Sequence, residues 1–147
     1  MTTVNEHTAL ENTRVVGVTR LISPVVIKQE IPGDESIYAV VSKGRETISR
    51  ILHGADKRFM AIVGPCSIHD PEGALEYARR LVELRKHLSP SIYVIMRVYF
   101  EKPRTTVGWK GLINDPKLDD SCDMVTGLYT ARKLLLEMNK YFEMVLP

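Results

Sequence analysis

The 147-residue sequence has little of what marks the specialised classes of protein. It has two cysteines, Cys66 and Cys122, too few for a disulfide scaffold in a chain of this size, so two reduced thiols are expected. It has almost no excess of charge: 20 Lys and Arg stand against 18 Asp and Glu, a formal net charge of +2. That balance gives no global attraction to nucleic acid, and any basic site has to be local. The longest uncharged stretches, such as Phe59–Ile68, fall far short of the roughly 20 residues of a membrane span. Met1–Glu11 lacks the basic-then-apolar order of a secretory signal. These absences predict a cytoplasmic protein with neither a membrane nor a nucleic-acid partner. Internal repeats and low-complexity tracts are also missing. What remains is a globular composition, 44% hydrophobic and 26% charged, sufficient for a real core.

Along the chain, Val15, Val16 and Val18 and then Val25, Val26 and Ile27 form two β-branched pieces, with Pro24 and Pro32 bracketing the second. They predict an extended arm with one or two short strands, covering residues 1–35, that packs on the main domain or on a second subunit. Ser36–Leu52 has the helical period, with Ile37, Val40, Val41, Ile48 and Ile51 on one face. The uninterrupted run Phe59–Val63 suits a strand buried on both faces of a parallel sheet. A helix follows, with Asp70 as N-cap, Pro71 at its first position, and Ala74, Leu75, Ala78, Leu81 and Val82 as the buried stripe. Ile92–Val98 is the next strand, apolar except for Arg97. Strand, helix and strand make one right-handed βαβ unit. A long irregular stretch then runs to about Asp123, before a helix over Thr126–Asn139 with Leu128, Ala131, Leu134, Leu135 and Met138 inward.

Ligands of parallel α/β sheets sit at the carboxyl ends of the strands. Cys66, in Gly64-Pro65-Cys66-Ser67-Ile68-His69-Asp70, lies just past the first strand, and Arg97 ends the second. Cys66 is open to three readings: metal ligand, nucleophile or packed thiol. A structural zinc site is not among them, because no second Cys/His pair follows at the required spacing. An arginine at the end of an apolar strand needs a partner. Together with Lys102 and Arg104 it can clamp an anion, the guanidinium forks matching carboxylate or phosphate, while Thr105 and Thr106 add hydroxyl donors. The bland reading of the same cluster is a solvated basic loop. The glycine spacing of a Walker loop is absent. Trp109 and Lys110 lie between Gly108 and Gly111, either against a ligand or as a loop pinned by one buried Trp.

Taken together, Gly64–Pro71 and the string Met96-Arg97-Val98-Tyr99-Phe100-Glu101-Lys102-Pro103-Arg104-Thr105-Thr106-Val107-Gly108-Trp109-Lys110-Gly111 resemble the type I 3-deoxy-D-arabino-heptulosonate 7-phosphate (DAHP) synthases. The resemblance covers roughly residues 14–139. It implies an α/β fold: the N-terminal part of a (β/α)8 barrel behind an N-terminal extension, residues 36–147 supplying two to three βα units. A complete barrel typically takes about 250 residues. It also implies the condensation of phosphoenolpyruvate with erythrose 4-phosphate. In that family pattern Cys66 is a ligand of a divalent metal ion of the Mn, Fe, Co or Zn type. Arg97 and Lys102 bind phosphoenolpyruvate, and Lys102 also assists proton transfer. Pro103, Arg104 and Thr105 hold erythrose 4-phosphate. An aromatic amino acid effector and a homo-oligomer are implied as well. The further metal ligands of the family, a His, a Glu and an Asp, come from later strands, and Lys140–Pro147 departs from the family pattern. Negligible turnover by the 147 residues alone is therefore expected. The alternative is a non-catalytic fragment that associates with a full-length synthase subunit.

Overall fold

The structure is a computed structural model, and it describes residues 13–15, 17–102, 107–141 and the backbone of 145–146. In chain order the elements are α1 (Pro24–Glu30), α2 (Glu35–Leu52), β1 (Phe59–Val63), α3 (Pro71–Leu88), β2 (Ile92–Arg97), α4 (Met124–Tyr141) and β3 (Val145–Leu146).

The arm departs from the expected strands. Val25, Val26 and Ile27 lie in α1, because the two residues before them specify a helix start. Ser23 is extended and accepts a hydrogen bond from the Val25 N–H (3.4 Å), and Pro24 takes the first helical position, where its missing donor costs nothing. Over a single pair of turns those signals outweigh the β-branched preference of three residues. Val15 and Val18 lie outside any strand, and Val16 lies outside the described residues. Two long-range contacts fasten α1 to α4: the Tyr129 hydroxyl donates to Glu30, and Arg132 Nε donates to the Ile31 carbonyl at 3.1 Å.

The other elements follow their local chemistry. Asp34 caps α2 by accepting from the Ile37 N–H at 2.9 Å, and Asp70 caps α3 by accepting from the Glu72 N–H at 3.0 Å. In α3 the residues Ala74, Ala78 and Leu81 are buried, with Leu75 and Val82 partly so. In α4 the buried stripe is Gly127, Ala131, Leu134 and Met138, a strict i, i+4, i+7, i+11 spacing. Gly127 is required by packing: a Cβ there would lie 2.0 Å from the Ile113 carbonyl oxygen, so α4 meets the preceding loop backbone to backbone.

The sheet is parallel and in sequential order, β1-β2-β3. β1 and β2 pair from Phe59 opposite Ile92 to Val63 opposite Met96, and β2 pairs with β3 through Met96–Val145 and Arg97–Leu146. Alternation along β2 feeds two packed layers. Val94 and Met96, with Val98 beyond the strand, meet α3 and α4 in the main core. Tyr93 and Ile95 point the other way and meet Ile48 and Ile51 of α2 with Met60 of β1. β2 is thus buried on both faces, but β1 is not: Phe59 is 80% and Ile62 51% exposed. The expectation for β1 fails because, among the described residues, only Met60 and Val63 of it pack on the two cores and it has a strand neighbour on one side only.

Candidate functional site

Because β1 and β2 are parallel, their C-terminal ends open on one rim, and the chain turns there twice. After Val63 the first turn, Gly64–His69, leads into α3. After Arg97 the chain runs on through Val98, Tyr99 and Phe100, with Val98 and Phe100 buried. Three contacts clip the two turns together. Gly64 sits so close to β2 that a Cβ there would lie 2.3 Å from the Arg97 carbonyl oxygen. The Ile68 N–H donates to the Tyr99 carbonyl at 2.8 Å. Arg97 Nη2 donates to the Cys66 carbonyl at 3.1 Å across a separation of 31 residues. The structure therefore brings Cys66 and Arg97 together, as their positions at the strand ends predict.

Arg97 is half-buried and lies over the Tyr99 ring, with Cζ 4.9 Å from the ring centroid. Among the described residues no carboxylate pairs with this partly desolvated guanidinium. Such a group favours an anionic ligand. Cys66, whose carbonyl takes the Arg97 hydrogen bond, is itself exposed.

Lys102 is half-buried and stands five residues past Arg97, at the neck of a loop that closes on Lys110. Its N–H donates to the Lys110 carbonyl at 2.8 Å, and Glu101 bridges Gly111 in antiparallel fashion. Predicted site residues Pro103, Arg104 and Thr105 lie outside the described residues. Beyond the neck the stretch read as irregular is well organised. Leu112 is buried, Trp109 Nε1–H donates to the Asp115 carbonyl at 2.7 Å, and the Asp115 carboxylate accepts from the backbone of Asp119 and Asp120. Of the two readings of Trp109, these contacts fit the pinned loop. The loop closes on Asp123, whose carboxyl is held down at about 2 by Lys117 Nζ (2.9 Å) and by Thr126.

His69, three residues after Cys66, is edge-on to Trp109, with ring centroids 6.4 Å apart. It ties the first turn to this loop. Among the described residues no three His, Cys, Asp or Glu side chains converge as a metal site. A cavity of about 670 Å³ lies elsewhere, between the turn before α2 and the helices α3 and α4, and neither Cys66, Arg97 nor Lys102 lines it. Sequence reasoning passed over Tyr99 and Ser67. Tyr99 shares the alternation phase of Arg97, so strand parity was the signal for it. Ser67 is buried with its Oγ unpartnered, which has no sequence signature.

Comparison with known proteins gives this arrangement its relatives. Residues 25–143 match the DAHP synthetase I family. The chain is 55% identical over 130 residues to the phospho-2-dehydro-3-deoxyheptonate aldolase of Amycolatopsis methanolica, covering 88% of this chain and 64% of that protein. It is 52% identical to the Tyr-sensitive phospho-2-dehydro-3-deoxyheptonate aldolase of Escherichia coli K12, with 88% and 36% covered. Among solved structures, the phospho-2-dehydro-3-deoxyheptonate aldolase of Francisella tularensis SCHU S4 superposes with a TM-score of 0.82 at 48% identity, over 87% of this chain and 38% of that one. The chain thus spans between about a third and two-thirds of the length of these relatives. Its sequential parallel strands and intervening helices are a portion of a (β/α)8 barrel, and the chain carrying them belongs to the DAHP synthetase I family.

Proposed function

We propose that this chain serves the 3-deoxy-7-phosphoheptulonate synthase reaction, in which phosphoenolpyruvate, D-erythrose 4-phosphate and water give DAHP and phosphate, and that it contributes the anion-binding wall at one side of the barrel mouth. The observation that carries this reading is Arg97: half-buried at a strand end, aimed by the Cys66 carbonyl, and without a carboxylate partner among the described residues. Its fork suits the carboxylate or phosphate of phosphoenolpyruvate. Lys102 is the second cation for that substrate and the carrier of a proton. Pro103, Arg104 and Thr105 hold erythrose 4-phosphate. Cys66 is proposed as one ligand of a divalent metal ion. One exposed thiol is one ligand, and the described residues converge on no set of three, so they do not complete a metal site. Relatives named Tyr-sensitive and Phe-sensitive support an aromatic amino acid as effector. A cytoplasmic homo-oligomer belongs to the same reading. Among the described residues no helix is long and apolar enough to cross a membrane.

The test is calorimetric titration of the chain with phosphoenolpyruvate. The wild type is expected to bind without turnover, and Arg97→Ala to lose roughly tenfold or more in affinity while Cys66→Ala changes it little. Equal affinity of the Arg97→Ala protein would remove Arg97 from the site, and measurable condensation by the chain alone would show that its site is complete. A second reading rests on the exposed Phe59 and Ile62 of β1, which suit a non-catalytic segment that associates with a full-length synthase subunit. Co-purification with such a subunit, without phosphoenolpyruvate binding, would select it.

A further inference from the structure

We propose that Tyr99 is a positioning residue, whose ring fixes the plane of the Arg97 guanidinium at the barrel rim. The inference rests on the reading of Arg97 as the phosphoenolpyruvate-binding arginine. An arginine side chain has four flexible dihedrals, and a bidentate contact to a planar carboxylate or a phosphate demands one orientation of the fork. The hydrogen bond from Nη2 to the Cys66 carbonyl, 3.1 Å, fixes one corner of the guanidinium. A single hydrogen bond leaves the group free to swivel about that corner. The Tyr99 ring, 4.9 Å from Cζ, removes this freedom, because the cation is held against the negative face of the ring.

A positioning surface must itself be held, and the backbone that carries the Tyr99 ring is. Its carbonyl receives the Ile68 N–H at 2.8 Å, and its neighbours Val98 and Phe100 are both buried. Successive side chains of extended backbone alternate, so Tyr99 falls on the same side as Arg97. The same Ile68 N–H contact and the Cys66 carbonyl tie the ring, the guanidinium and the thiol-bearing turn into one unit. The recognition needs the aromatic face and not the phenol hydroxyl, so phenylalanine satisfies it and leucine does not.

The experiment uses the whole chain with phosphoenolpyruvate, and with inorganic phosphate as a second probe. Tyr99→Phe is expected to keep wild-type affinity. Tyr99→Leu is expected to weaken both ligands by roughly 3- to 10-fold at an unchanged melting temperature. The readout that a merely structural role would not move is the nuclear magnetic resonance of the Arg97 Hδ and Hε protons. Ring current shifts them upfield in the wild type and in Tyr99→Phe, and they return toward unshifted values in Tyr99→Leu. Equal affinity of Tyr99→Leu and wild type, or wild-type Arg97 protons without a ring-current shift, overturns the proposal. If the wild type binds neither ligand, the reading of Arg97 falls, and the ring-current shift alone then decides whether Tyr99 holds the guanidinium. The wild-type shift also decides the matter if Tyr99→Leu fails to fold.

Discussion

β1 and β2 are apolar strands laid side by side in one register, yet their burial differs sharply. Tyr93 to Met96 of β2 are at most 3% exposed, whereas Phe59 and Ile62 of β1 are 80% and 51% exposed. The side chains are alike and the neighbours are not. β2 has a strand on each edge and helices over both faces, while β1 has one strand neighbour among the described residues. A continuous apolar run therefore states what a strand requires, and the rest of the fold determines how far that is met. Among the described residues one edge of β1 is unpaired, and such an edge can receive a further parallel strand.

The contrast can be broken most directly in stability. Met96→Ala, at a site with no exposure, is expected to cost about 2–5 kcal/mol, and Ile62→Ala less than about 1 kcal/mol, by urea denaturation. Similar costs would mean that β1 is buried in solution. Next in size is Gly127→Ala, which drives a methyl into the Ile113 carbonyl and lifts α4 off the face of β2. A loss of about 1–3 kcal/mol is expected, and an unchanged urea midpoint would show that α4 relaxes freely.

The third effect is a dependence on pH. Asp56, before β1, has its carboxyl lowered to about 2 by the hydrogen bonds from Arg58, and Asp123, before α4, to about 2 chiefly by Lys117 and then Thr126. A folded-state value below the ordinary 3.8 means stability that is present above pH 3.8 and lost as pH falls through about 2. The urea midpoint should therefore hold from pH 7 to about 5 and fall below about 4. Asp56→Asn and Asp123→Asn should each flatten that acid limb. A limb unchanged in both would show that the pairs are not formed in solution. Smallest is the effect of chelation. Because the described residues complete no metal site, a chelator should move the melting temperature by less than about 1 °C, and a larger drop would reveal a structural metal.

Much of this was readable because it is local. Asp70 and Pro71 announce α3, the stripe of α4 announces its buried face, and the ends of two parallel strands place Cys66 and Arg97 on one rim. What the sequence withheld depends on partners far along the chain. Val25–Ile27 carries strand-forming residues, but the two residues before it decide for helix. The exposure of Ile62 depends on which strands flank β1. β3 pairs only through Met96 and Arg97, and nothing in Val145–Leu146 announces it. Residues 107–123 looked irregular because their order comes from the Asp115 carboxylate and the indole of Trp109, contacts with no periodic pattern.

The fastening of α1 to α4 also sets an order of events. Glu30 meets Tyr129 across 99 residues and Ile31 meets Arg132 across 101, and a helix of seven residues has no stability of its own in water. Closing a loop of that length is worthwhile only once α4 exists to receive it. The amides of α1 are therefore expected to be protected from exchange only while α4 is folded, with α1 docking after α4 and leaving before it.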